Sequence, residues 1–288
     1  MSLVVAEATA DGARIVSDTR VLHPGRPLAY KTGTLKAVVL RRDLTVCFTG
    51  EVEAGLGAIR QIAGDLYGGE DVEGLLSTLQ GQSKQRTVEF LVAADGEGWQ
   101  LTRIRDGVIE RGLESTWIGD QEAFERFQST RLSTPEPFRK ALEAGLGPGS
   151  KSMLRLGDAM NAVIADSTIE SVDHFCVRVA RGKDGFEYLA YVFVFVGRDF
   201  ELSDGDELIS KMAQPVEEGG FAVTVVEPAH PGTPALGLSF PRAHLGMLFL
   251  PLEYDQAQVI EDVSPNDYAR VVQERFGVAM KDPSMRYA

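Results

Sequence analysis

SLVVAEATADGARIVSDTR, residues 2–20, decides how this chain is read. The pieces "LVVAEA" and "RIVSDT" read as two strand runs. Asp11-Gly12 between them is the strongest short hairpin signal in the segment. A strand therefore begins at the second residue. Chain ends are ordinarily loose, so this end is either structurally needed or is itself a reagent.

The whole chain limits what such a reagent could serve. Its 288 residues allow one large domain or a domain with an extension. A net charge of −13 argues against nucleic acid and anionic membrane surfaces as partners. The longest apolar run, "YLAYVFVFVG", has strand length and is too short to cross a bilayer. No basic segment precedes "LVVAEA", so no secretory signal is expected and the expected compartment is the cytoplasm. Cys47 and Cys176 both sit in apolar strand patterns and read as reduced core thiols.

The organisation follows from changes of period. "LKAVVL", the turn "RRDL" and "TVCFTG" read as a second hairpin. From Glu51, Ala54, Leu56, Ile59, Ile62, Ala63 and Leu66 share one helical face, and "DVEGLLSTLQGQ" is a further helix. "VEFLVAAD" and "WQLTRIRDGVIE" are strands around the turn "GEG". Residues 120–130, 135–145 and "SMLRLGDAMNAVIADS" read as helices. "HFCVRVARGKDGFEYLAYVFVFVG" reads as one hairpin turned at Lys183-Asp184-Gly185. "GRDFELSDGDEL" is an acidic joint, and short strands with one late helix follow it. The division expected is residues 2–197 and a C-terminal α+β extension, 198–288. Sheet packed on sheet with helices outside both satisfies the order of the first part.

Several chemistries lack support. "GLGPGSKS" has Ser150 where a phosphate loop needs its second glycine, and it follows a helix where the motif needs a strand. It reads as a glycine-rich helix stop. His23, His174, His230 and His244 lie too far apart for a local metal signature, so no metal or cofactor is expected. No G-x-S-x-G elbow is present.

The N-terminus remains. Removal of Met1 would leave Ser2 with a hydroxyl and a free α-amine on one residue. An α-amine has a pKa near 8 and can act as a general base around neutral pH. Such a nucleophile needs a lysine to hold the amine neutral, a carboxylate to orient that lysine, and an N–H for the oxyanion.

Residues 2–20 resemble the N-terminus of proteasome β-type subunits, of the N-terminal nucleophile (Ntn) hydrolase superfamily. With Ser2 in the place of the family's threonine, the Asp-Gly turn and the Asp-Thr-Arg triplet fall in register. Lys36 and Gly50 in "KAVVLRRDLTVCFTG" have the family's lysine-to-glycine spacing, with Lys31 as the alternative lysine. The likeness extends to about residue 190. It implies a four-layer αββα sandwich and amide hydrolysis. It implies Ser2 as nucleophile, Lys36 tuning its amine, Asp18 orienting the lysine, Gly50 N–H holding the oxyanion, and Asp166 as the acidic residue beside the terminus. It further implies a peptide or small amide substrate and a homo-oligomer. Phe48, just ahead of Gly50, points to an apolar specificity pocket.

Two motifs depart from the family. Asp120 in "IGD" replaces a serine, and Ile169 in "DSTI" replaces another. These departures leave a second class open, a weakly active or inactive Ntn-fold scaffold that binds a partner through residues 198–288.

Overall fold

Thr9 and Gly12 close the first hairpin, with β1 (Leu3–Thr9) antiparallel to β2 (Gly12–Ser17) as the Asp-Gly turn predicts. The computed structural model describes residues 2–283 apart from 11, 22–31, 69–70, 96–99, 134–147, 173 and 196–220. The helix expected over 135–145 and the alternative lysine Lys31 lie outside the described residues.

Among the described residues there are three five-stranded antiparallel sheets. The first places β1 and β2 in its middle. β8 (Ser115–Gly119) flanks β1, while β9 (Val177–Gly182) and then β10 (Gly185–Tyr188) flank β2. The second is a meander of β3 (Ala37–Arg41), β4 (Leu44–Gly50), β5 (Val88–Ala94), β6 (Gln100–Arg105) and β7 (Val108–Leu113). The third is a meander of β11 (Val192–Phe195), β12 (Phe221–Val226), β13 (Leu236–Phe240), β14 (Leu245–Phe249) and β15 (Gln258–Ile260).

The central strands are buried on both faces, and the two-residue period divides their side chains between two cores. Val4, Ala6 and Ile15 of the first sheet pack with Ala37, Cys47 and Leu91 of the second. Leu3, Val5 and Val16 turn the other way, onto α3 (Gln121–Ser133) and α4 (Pro148–Ile164). The second sheet's opposite face, with Val46, Phe48 and Phe90, packs on α1 (Val52–Tyr67) and α2 (Val72–Gln85). Leu238, Met247 and Phe249 of the third sheet join the core shared by the first two. Its other face holds Tyr268 and Val272 of α5 (Pro265–Phe276). That helix starts with Ser264 accepting from Asp267 N–H and Pro265 in its first turn. It stops at Gly277 with φ 71°.

Three expectations change. The run after Gly185 is not one strand. Gly185–Tyr188 pairs with β9, and Val192–Phe195 pairs with β12 in the third sheet. An apolar run longer than its partner must place the surplus elsewhere, and β12 supplies the partner. "WQLTRIRDGVIE" is likewise two strands, turned at Asp106-Gly107, both with positive φ. The strand β8 was not expected at all. The described part of "GLGPGSKS" opens α4 at Pro148, and its first three residues lie outside the described residues. Cys47 and Cys176 are free and buried, and burial pushes both thiols up. No described helix is long and apolar enough to cross a membrane.

The third sheet joins the others at a close-packed junction. Phe186 N–H donates to Arg42 O at 2.7 Å, and Gly232 N–H donates to Phe186 O at 2.9 Å. A Cβ on Gly232 would lie 2.6 Å from Arg42 N. Inside the C-terminal unit, Tyr268 donates to Met247 O at 2.6 Å, and a Cβ on Gly246 would lie 2.5 Å from its ring. Gly246→Ala should therefore cost about 1–3 kcal/mol by overpacking. Urea unfolding should show a lower midpoint at unchanged slope. An unmoved midpoint would mean that the ring has room to shift.

Candidate active site

Asp18, Thr19 and Arg20 follow β2 and run beside the start of β1. Asp18 N–H donates to Leu3 O at 3.4 Å, and Leu3 N–H donates to Asp18 Oδ1 at 3.0 Å. Asp18 also closes its own turn, since its Oδ2 accepts Arg20 N–H at 3.0 Å. The same oxygen accepts Lys36 Nζ at 2.6 Å, and Lys36 also donates to Arg20 O. Asp18 and Lys36 are 0% and 1% exposed, so this pair is sealed from solvent. The sequence places Asp18 and Lys36 at the family's spacing, and the fold brings them into contact.

Burial pulls the Lys36 ammonium below the ordinary lysine range, because a charge without water is costly. The Asp18 carboxylate pulls the other way, and Arg20 adds to the lowering. Burial wins in direction.

Ser2, next to Leu3, is buried, 5% exposed. Asp120 N–H donates to its carbonyl at 2.8 Å. Gly119 has φ 106°, and a Cβ there would lie 1.9 Å from Ser2 O, so only glycine fits. That same Cβ would lie 3.1 Å from Thr49 Cγ2. Thr49 precedes Gly50, so β4 and β8 converge on Ser2. Gly50 has φ 98°, and a Cβ on it would meet Thr87 O at 2.1 Å. It stands just before α1, whose first turn has no side-chain cap. The positive end of that helix favours negative charge nearby.

Asp166 is held by Thr168 and Arg126. Its Oδ1 accepts Thr168 N–H at 3.1 Å and the Thr168 hydroxyl at 2.7 Å, and Arg126 pairs with Oδ2 at 2.9 Å. Those bonds, the Thr168 hydroxyl first, hold its carboxyl below the usual range. The segment that follows does return to the site, where Phe175 N–H donates to Thr19 Oγ1 at 3.2 Å. Phe48 is core rather than pocket, for its ring fills the space where Gly55 lacks a Cβ. Asp120 Oδ1 caps α3 through Ala123 N–H at 3.0 Å, and Ile169 packs into the core under α4. Among the described residues no three His, Cys, Asp or Glu side chains gather as metal ligands.

Glu89 escaped sequence reasoning. It lies opposite Thr49 on β5, and its Oε2 accepts Gly119 N–H at 2.9 Å. Arg105 pairs with it at 2.7 Å and lies 5.0 Å over the Trp117 ring. Glu89 thus ties the second sheet to the glycine that touches Ser2. The signal was a lone glutamate in the apolar run "VEFLVAA".

No family model matches the sequence. No curated protein matches it either. Solved structures do match, among them the Anbu (Gly-1) mutant from Hyphomicrobium sp. strain MC1. The TM-score is 0.50, over 66% of this chain and 85% of that one, at 12% identity. This likeness shows a shared fold and reaches no further.

Two predictions follow from the buried pair. Asp18→Asn would leave Lys36 charged, buried and unpaired, and should cost about 3–5 kcal/mol in chemical unfolding. A loss well below 1 kcal/mol would mean that water reaches the lysine. The second concerns pH. The folded pKa of Lys36 lies below its unfolded value of about 10.4. Between those two values the unfolded chain binds more protons, so stability rises with pH. The penalty is full below the folded pKa and is relieved as pH rises to the unfolded one. Wild type compared with Lys36→Met should gain stability across that window. A flat difference would mean an ordinary lysine.

Proposed function

We propose that this chain is a proteasome-like peptidase or amidohydrolase with Ser2 as its nucleophile, exposed by removal of Met1. The observation that carries the reading is the sealed Lys36–Asp18 pair, bonded through Asp18 to the N–H of the residue after Ser2. The finer kinship with β-type subunits rests on the register of residues 2–20. In this reading the first two sheets and their helix pairs make a four-layer αββα sandwich over residues 2–197, and residues 198–288 are a C-terminal α+β extension. The protein works in the cytoplasm as a homo-oligomer on peptides or small amides. No cofactor, nucleic acid or membrane takes part.

The chemistry follows from the residues. The Ser2 amine takes the Ser2 Oγ proton while Oγ attacks the substrate carbonyl carbon. The oxyanion is held by Gly50 N–H at the positive end of α1. The C–N bond breaks, the leaving amine takes the proton, and water hydrolyses the acyl-serine ester. Lys36, its pKa lowered by burial, keeps the Ser2 amine unprotonated, and Asp18 fixes the lysine. Asp166 is the acidic residue beside the terminus, as the resemblance implies.

One observation favours the second reading, a scaffold with little activity. Asp120, in the place of a family serine, spends its carboxylate on capping α3. Intact-mass analysis with a proteasome-type covalent inhibitor separates the two. The hydrolase should have lost Met1 and take one adduct, which Ser2→Ala abolishes. Lys36→Met should slow adduct formation by at least about 10²-fold. A protein that keeps Met1, or a trimmed one that takes no adduct, is the scaffold.

A further inference from the structure

The third sheet reaches the site lysine through two threonines. Thr34 N–H donates to Thr19 O at 2.8 Å, beside Asp18. The Thr34 hydroxyl donates to Asp255 O at 2.5 Å, and the Thr32 hydroxyl donates to Ala257 O at 3.0 Å. Gly33 between them has φ 73°, and a Cβ there would meet Thr19 O at 2.4 Å. Thr32 and Thr34 are buried, and only Leu35 separates Thr34 from Lys36. The segment 251–257, between β14 and β15, is itself anchored on α1. Arg60 donates to Pro251 O at 3.0 Å and pairs with the Asp255 carboxylate at 2.8 Å. The residues before β3 are thus gripped from one side by Thr19 and from the other by the C-terminal unit.

We infer that the C-terminal unit is a working part of the site: segment 251–257 sets the position of Lys36 by holding Thr32 and Thr34, and Thr34 is a positioning residue. The role in catalysis rests on the hydrolase reading; the mechanical role does not. The charged groups that act on Lys36 are Asp18 and Arg20. Asp255 contributes its carbonyl, because its carboxylate is turned to Arg60. Released from Asp255, the strand loosens, water reaches the ammonium, and the burial that lowers its pKa is relieved.

The test reads the lysine directly, in the full chain labelled with lysine carrying nitrogen-15 at Nζ. The Lys36 resonance is identified by its absence in Lys36→Arg. In Thr34→Val it should titrate about one pH unit higher than in wild type, and Thr34→Ser should restore the wild-type value. A Thr34→Val protein that melts earlier yet titrates as wild type would overturn the inference, leaving the threonine a purely structural tie. Thr32→Val gives the same two outcomes if Thr34→Val does not fold. The readout needs no turnover. A scaffold whose Lys36 follows Thr34 supports the brace while refuting hydrolysis. An active enzyme whose Lys36 ignores Thr34 refutes the brace alone.

Discussion

One carboxylate organises the end of the molecule where the chain begins. Asp18 receives Leu3 N–H, Arg20 N–H and Lys36 Nζ with no water to help. Those three donors come from the start of β1, from its own turn and from the approach to β3. Two sheets are thereby registered against each other at a single buried charge. Such a pair is a poor way to gain stability, because desolvation offsets most of the attraction and apolar side chains of the same volume would serve as well. A lysine kept dry, with its pKa pulled down and one partner to steady it, is what a proton-handling site requires.

Absent side chains complete the site. Gly119 lets the β8 backbone come up to the Ser2 carbonyl, and Gly50 lets β4 turn against Thr87. At both positions the positive φ and the missing Cβ serve a close approach of main chain to main chain. Glu89 then fastens Gly119 from the other sheet, steadied by Arg105. Ser2 is held by its carbonyl and by its neighbour's N–H, so its backbone is fixed.

Local patterns revealed the parts of the fold that depend on neighbours in sequence. The hairpin of residues 2–20, the face of α1 and the capped helix after Ser264 were legible for that reason. Asp18 and Lys36 were legible through spacing against a known family, although nothing local in either residue announces burial. What stayed hidden depends on distant partners. "STWIG" is too short and mixed to read as a strand until β1 lies beside it. The apolar run after Gly185 gives no sign of where one sheet releases it and the next accepts it. The partners of Asp166, Thr168 and Arg126, include one that lies forty residues away in sequence. Nothing local marks Thr32 and Thr34, whose partners lie at the far end of the chain.

The C-terminal unit therefore belongs to the same body as the site, through a shared core and through the threonine ties. Whether this body is a hydrolase turns on where the amine of residue 2 sits once Met1 is gone. The decisive measurement is the separation of that nitrogen from Lys36 Nζ in a crystal structure of the trimmed protein. The proposed chemistry requires hydrogen-bond reach, about 2.6–3.2 Å directly or through one water. An amine turned to solvent, with Lys36 still closed on Asp18, would contradict it.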